Sequence, residues 1–247
     1  MGSQTPSVRV IPEYAYTDGD DAAKILAASK LYVDPWQANV LNDWMGRTDD
    51  DVWTAPTCGL SVPRQNGKTL NTSGRITSGM VMYGEWVVYT AHLQKTATET
   101  FMELKGIFES RGLRKYIKEI KNALGREQII LKNGARVVFV ARTRNGGRGL
   151  HGDCLVFDEA QELTSEQQAS FLPAISASKN PQTLYLGTPP DENCVGDVFR
   201  RIRERAITGE SHTTAWTEYS VNEIGAVSDR TRWAETNPAL GRRMRES

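Results

Sequence analysis

What the chain lacks excludes several classes of protein. Cysteine is scarce: Cys58, Cys154 and Cys194 are odd in number, far apart and form no C-x-x-C pair. They read as buried small apolar residues in a reducing compartment. No apolar run approaches the ~20 residues that a membrane-spanning helix needs. The opening MGSQTPSVRVIPEY has no apolar stretch of the signal-peptide kind. Neither charge is in excess, with 30 Lys and Arg against 30 Asp and Glu. Bulk charge therefore gives no reason to expect nucleic-acid binding, which would need a local basic stripe or an assembly that focuses charge. Internal repeats and low-complexity tracts are also missing.

What remains is ordinary globular material. The chain has 247 residues, 39% hydrophobic and 24% charged. A chain of this mass buries about 70% of its unfolded surface, too much core for a peptide hormone or a disulfide-stapled mini-protein. The length suits one large domain, alone or with a small appendage.

Residues 1–20 lack periodicity and are expected to form an irregular lead-in. Residues 21–31 suggest a short helix with an acidic first turn. Pro35 opens a second, with Trp36, Val40, Leu41 and Trp44 at helical spacing. From residue 57 short apolar runs alternate with helix-like stretches. The runs are 57–62, 85–91, 135–141, 154–159 and 183–188; the helical stretches are 68–82, 95–120 and 165–175. Continuous rather than alternating apolar runs suit strands buried on both faces, so the pattern predicts an α/β fold with a parallel sheet. Asn133-Gly134 between apolar runs signals a hairpin, hence an antiparallel addition. A basic helix over 194–208, a short strand over 213–219 and a basic ending without a closing cap complete the chain. The ending looks cut rather than finished.

Two motifs carry chemistry. Ser61-Val62-Pro63-Arg64-Gln65-Asn66-Gly67-Lys68-Thr69 follows an expected strand and opens an expected helix. In such a layout successive backbone N–H groups and a helix N-terminus wrap a phosphate, Lys68 reaches the β and γ oxygens, and the Thr69 hydroxyl ligates Mg²⁺. The usual first glycine of G-x-x-x-x-G-K-[ST] is Val62 here, and a plain turn at a helix start is the alternative. Second, Cys154-Leu155-Val156-Phe157-Asp158-Glu159 is an apolar strand ending in two carboxylates, where α/β proteins place ligands. Asp158 can hold Mg²⁺ through water and Glu159 can polarise an attacking water; a solvated turn is the bland alternative.

Together these residues resemble the ATPase domain of the large terminase subunit, the DNA-packaging motor of tailed bacteriophages. Asp34-Pro35-Trp36-Gln37 resembles that family's adenine motif, and Pro63-Arg64-Gln65-Asn66-Gly67-Lys68-Thr69 its form of the phosphate loop, which often lacks the first glycine. Leu186-Gly187-Thr188-Pro189 resembles its coupling motif. Tyr89-Thr90-Ala91-His92-Leu93-Gln94-Lys95-Thr96-Ala97 and Trp233-Ala234-Glu235-Thr236-Asn237-Pro238 also match. The resemblance implies a three-layer ASCE, RecA-like P-loop ATPase with a mainly parallel sheet. It implies ATP and Mg²⁺ as cofactors, Gln37 as base reader, Arg64, Gln65, Asn66 and Gly67 around the phosphates, and Thr188 as γ-phosphate sensor. Catalysis would fall to Glu159 and Lys68, with Arg148, among the arginines of the glycine-rich stretch 142–149, reaching a neighbouring subunit as an arginine finger and Arg64 the competing finger in cis; Trp36 can equally be core, Arg64 solvated, and the arginines of 142–149 solvated or on DNA phosphates. The implied partners are double-stranded DNA, a portal protein, a small terminase subunit and further copies in a ring. The implied place is the host cytoplasm at the procapsid, with no membrane involved. A helicase-like translocase or a non-catalytic nucleotide-gated module are the rival functions. The expected division is a lead-in over 1–31, an ATPase core over 32–220 and the start of a lid or linker over 221–247. No room is left for the nuclease domain of that family, so no DNA cleavage is expected.

Overall fold

The computed structural model describes all residues except 145, 192, 193, 222, 224, 227 and 245–247. The lead-in is not wholly irregular: β1 (Val8–Val10) and β2 (Tyr16–Thr17) form there. Helices α1 (Gly19–Ala28) and α2 (Pro35–Trp44) follow, then β3 (Gly46–Arg47), which pairs with β2. Pro35 at the first helical position and Asp34 before it set the start of α2, as its sequence predicts.

The phosphate-loop strand β4 (Thr57–Ser61) leads into α3 (Lys68–Ser78), and β5 (Trp86–Ala91) into α4 (Gln94–Glu109). Next come β6 (Ile117–Lys121), β7 (Gln128–Leu131) and β8 (Arg136–Ala141). The acid-bearing strand β9 (Cys154–Phe157) precedes α5 (Ser165–Phe171), and β10 (Gln182–Gly187) precedes α6 (Val198–Ile207). The last elements are β11 (Thr214–Glu218) and α7 (Arg230–Thr236).

Nine strands make one sheet in the order β1-β11-β4-β10-β9-β5-β8-β7-β6. The strands from β11 to β8 are mutually parallel, with antiparallel β1 at one edge and the β7–β6 addition at the other. Both faces of the sheet are buried, by alternate residues. Val87, Tyr89, Cys154, Val156, Leu184 and Leu186 join the core under α1–α4. Val88, Leu155, Phe157 and Tyr185 join the other core, with Phe171, Phe199 and Trp216. That two-sided burial is why these strands are continuously apolar in sequence.

One expectation is corrected. Residues 117–121 are a strand, not the end of a long helix: α4 stops at Glu109. Gly112 then passes so close to Ala28 that a Cβ would lie 2.5 Å from its carbonyl oxygen. Pairing with β7 then claims a segment whose composition suits a helix. Within the first 31 residues, β1 is a strand of the main sheet and α1 packs on α2 and α3.

Candidate active site

Parallel strands deliver their following loops to one sheet edge. Here the loops after β4, β5, β9 and β10 meet around a cleft of about 530 Å³. Arg64, Gln65, Gly67, Lys68, Thr69, Asp158, Glu159 and Thr188, all singled out in the sequence, line it together with Thr96, Gln161 and Gly187.

The phosphate loop is strained. Gln65 (φ 64°) and Gly67 (φ 88°) are both left-handed. Alternating handedness produces a concave run of backbone N–H groups suited to an anion. Glycine adopts this conformation freely, whereas at Gln65 it stores strain. Lys68 opens α3, and its Nζ donates to the Val62 carbonyl across the loop at 3.0 Å. Burial lowers the Lys68 ammonium to about 8; Asp158 and Glu159 oppose that shift and Arg64 reinforces it. A desolvated lysine in a concave N–H loop is a site awaiting negative charge.

The acids are braced from behind. Asp158 continues β9, donating its backbone N–H to Thr90 at 2.9 Å. Its carboxylate accepts from the Tyr89 hydroxyl at 2.5 Å and from the Glu159 N–H at 2.8 Å. Tyr89 also bonds Thr100 at 2.9 Å, and burial first, then Asp158, holds its phenol well above the ordinary range. Glu159 sits at φ 51°, a left-handed conformation that a non-glycine residue adopts at some cost, and its buried Oε2 has no hydrogen-bond partner. Arg142 is buried and donates to the backbone carbonyls of Asp158, of Glu159 at 3.0 Å and of Thr90 at 3.3 Å. Burial lowers its guanidinium to about 10 against the pull of the two acids.

Three of the sequence-named residues lie outside the cleft. Gln37 is fully buried: its Oε1 accepts from the Asp34 N–H at 2.8 Å and its Nε2 donates to the Gly67 carbonyl at 2.9 Å. Both amide ends are engaged, and through the Gly67 carbonyl Gln37 braces the phosphate loop. Asn66 is buried behind the loop. Arg148 is exposed on another face, beside Arg144, His151 and Glu166. Of the basic α6, Arg201 pairs with Asp197 at 2.9 Å on the surface and Arg203 with the buried Glu218 at 2.5 Å.

Sequence reasoning missed Tyr89 and Gln161 as parts of the site, and it named Arg142 only as an arginine-finger candidate. Tyr89 lies within a stretch already noted for its resemblance, but nothing in the sequence tells a core phenol from one aimed at Asp158. Arg142 stands in sequence among the arginine-finger candidates of 142–149, and burial separates it from the exposed Arg144 and Arg148. Gln161 Oε1 accepts from the Thr188 N–H at 3.2 Å, tying the segment after the acids to the end of β10.

No family model and no curated protein matches the chain. Solved structures do. The HK97 bacteriophage large terminase matches with a TM-score of 0.77 at 18% identity, over 93% of this chain and 50% of that one. The Thermus phage P74-26 large terminase ATPase domain matches at 0.56 and 15%, over 72% of each chain. The large terminase of a thermophilic bacteriophage, in complex with ATP-gamma-S, matches at 0.57 and 12%, over 79% of this chain and 46% of that one. The fold expected from the resemblance is therefore the fold observed, that of phage large-terminase ATPase domains. The chain spans about half the length of the HK97 protein.

Proposed function

We propose that this chain is an ATPase motor domain of the phage large-terminase type, hydrolysing ATP to drive double-stranded DNA into a procapsid. The observation that carries the reading is the meeting in one cleft of the phosphate loop, Lys68, Thr69, Asp158, Glu159 and Thr188. The donor set fits Mg²⁺ brought in by a nucleotide: one hydroxyl, Thr69, and one carboxylate, Asp158. Among the described residues no cluster of three or more His, Cys, Asp or Glu forms a resident cage. When bound, Mg²⁺ neutralises phosphate charge. The chain's own groups do the rest. Loop N–H groups and Lys68 hold the β and γ phosphates. The unpartnered Oε2 of Glu159 accepts a proton from the attacking water. Thr188, bonded through Gln161 to the segment after Glu159, reads the γ position.

Arg148 is exposed and lines a separate pocket, not its own cleft, which supports action in trans within a ring of copies. A portal protein and a small terminase subunit complete the proposed assembly, working in the host cytoplasm. For DNA, Arg111, Arg114, Lys115, Lys118 and Lys121 form an exposed basic run opposed within it only by Glu119. It is the local basic stripe that the neutral net charge would require.

Mg²⁺-dependent phosphate release by the purified chain tests the reading. Release should rise with assembly and vanish in Lys68→Ala. Mixing Arg148→Ala with Glu159→Ala subunits should restore some turnover, since each supplies what the other lacks; no restoration in an assembled ring would sink the trans assignment. Lys118→Glu with Lys121→Glu should lower DNA affinity and flatten its salt dependence, with the slope reduced by roughly 1 for each phosphate no longer neutralised.

A further inference from the structure

The phosphate loop holds left-handed conformations at Gln65 and Gly67, on either side of Asn66. Such strain persists only where the surroundings over-determine it. The Asn66 side chain supplies part of that constraint, sharing one Nδ2 hydrogen between the carbonyls of Pro63 and Arg64, each at 3.2 Å. Those two bonds require the amide to face the loop with its nitrogen, and a segment distant in sequence sets that orientation. The Ala239 N–H donates to Asn66 Oδ1 at 3.0 Å, and Asn66 Nδ2 donates to Asn237 Oδ1 at 2.9 Å. A backbone donor on one end and a side-chain acceptor on the other leave a single amide orientation.

The same segment reaches the loop by a second route. Arg243 donates to the Asp34 carboxylate at 2.6 Å. The Asp34 N–H holds Gln37, whose other amide end holds the Gly67 carbonyl. Two independent paths from residues 237–243 thus end on consecutive loop residues, 66 and 67.

We infer that Asn237 is a positioning residue for nucleotide, latching Asn66 so that the phosphate loop keeps its anion-binding shape in the empty protein. This rests on the nucleotide-binding reading above. Neither Asn66 nor Asn237 lines the cleft, so the effect is on affinity through loop shape and not on the reacting atoms.

The test is titration of the full chain with a fluorescent ATP analogue and Mg²⁺, with KM and kcat for phosphate release. Asn237→Ala and Asn66→Ala should each weaken binding about tenfold and raise KM, given what an unmade buried hydrogen bond costs, with kcat changed less than about twofold. The double variant should bind no more weakly than Asn66→Ala alone, because both act through one contact. Arg243→Glu, at an exposed position, should weaken binding about threefold through the second route and carries the test if either asparagine variant fails to fold. Wild-type binding with an unaffected Asn237→Ala, or additive losses in the double variant, overturns the latch alone. A wild-type chain that binds no nucleotide overturns the nucleotide reading and the latch with it.

Discussion

Two buried arginines at opposite edges of the sheet have different surroundings. Arg75, at the amino edge, is fully buried and forked onto Glu85 at 2.6 and 2.9 Å, with its Nε on Gln182 at 2.7 Å. Burial works against its charge, but Glu85 overrides it and holds the guanidinium above its ordinary value. Arg142, at the carboxyl edge, meets backbone carbonyls instead of a carboxylate, its Nε has no partner, and burial wins. The nearby acids are likewise incomplete, with Glu159 strained and its Oε2 unpartnered. A satisfied charge cluster consolidates a fold. Under the proposed function, an unsatisfied and strained one is held ready for charge that arrives with a ligand.

Breaking the two clusters should separate function from stability. Glu159→Gln should reduce phosphate release by about 10²–10⁴-fold, the range for loss of a general base, while nucleotide binding and urea midpoint stay near wild type. Glu85→Ala should do the reverse. Leaving Arg75 buried and unpaired should destabilise the chain by about 3–5 kcal/mol, read from urea unfolding. Joint replacement of Arg75 and Glu85 by apolar residues should recover much of that loss. If Glu85→Ala unfolds with wild-type stability, the contrast between the edges is wrong.

Lys68 sharpens the comparison through pH. Its folded value of about 8 lies below the unfolded 10.5, so between these the unfolded chain binds more protons and this group's contribution to stability rises with pH. Nucleotide affinity moves the opposite way, because phosphates need the charged form. It should fall by roughly tenfold from pH 7 to pH 9, with proton uptake on binding near pH 8. Calorimetry in buffers of different ionisation heat measures that uptake; no uptake near pH 8 would contradict the lowered value. The smallest expected change is at Tyr89. Tyr89→Phe removes one charge-assisted hydrogen bond to Asp158 and should raise the Mg²⁺ concentration for half-maximal release by about fivefold.

Much of this was legible in the sequence because it is local. The apolar runs at β4, β5, β9 and β10, the helix start at Pro35, the Asn133-Gly134 turn and the loop ending in Gly67-Lys68-Thr69 each depend on neighbours a few residues away. Where local preference and long-range pairing disagree, the sequence misleads. Residues 117–121 suit a helix yet complete a sheet edge, and the 1–20 stretch without periodicity still supplies β1.

By itself, then, the sequence determined the alternation of strands and helices, the phosphate loop between a strand and a helix, and the acids at the end of an apolar strand. Periodicity, turn chemistry and strand ends are properties of short segments. Only the tertiary structure decided that β10 lies between β4 and β9, which brings Thr188 to the cleft that holds Lys68 and Glu159. It also decided that the side chains of Gln37 and Asn66 are buried against the loop backbone, that Arg142 is a buried brace while Arg148 is exposed, and that Asn237 meets Asn66. Each of these is a contact between residues far apart in the chain. Which partner a polar side chain finds, and whether burial or a counter-charge sets its ionisation, depends on the packing that brings those distant segments together.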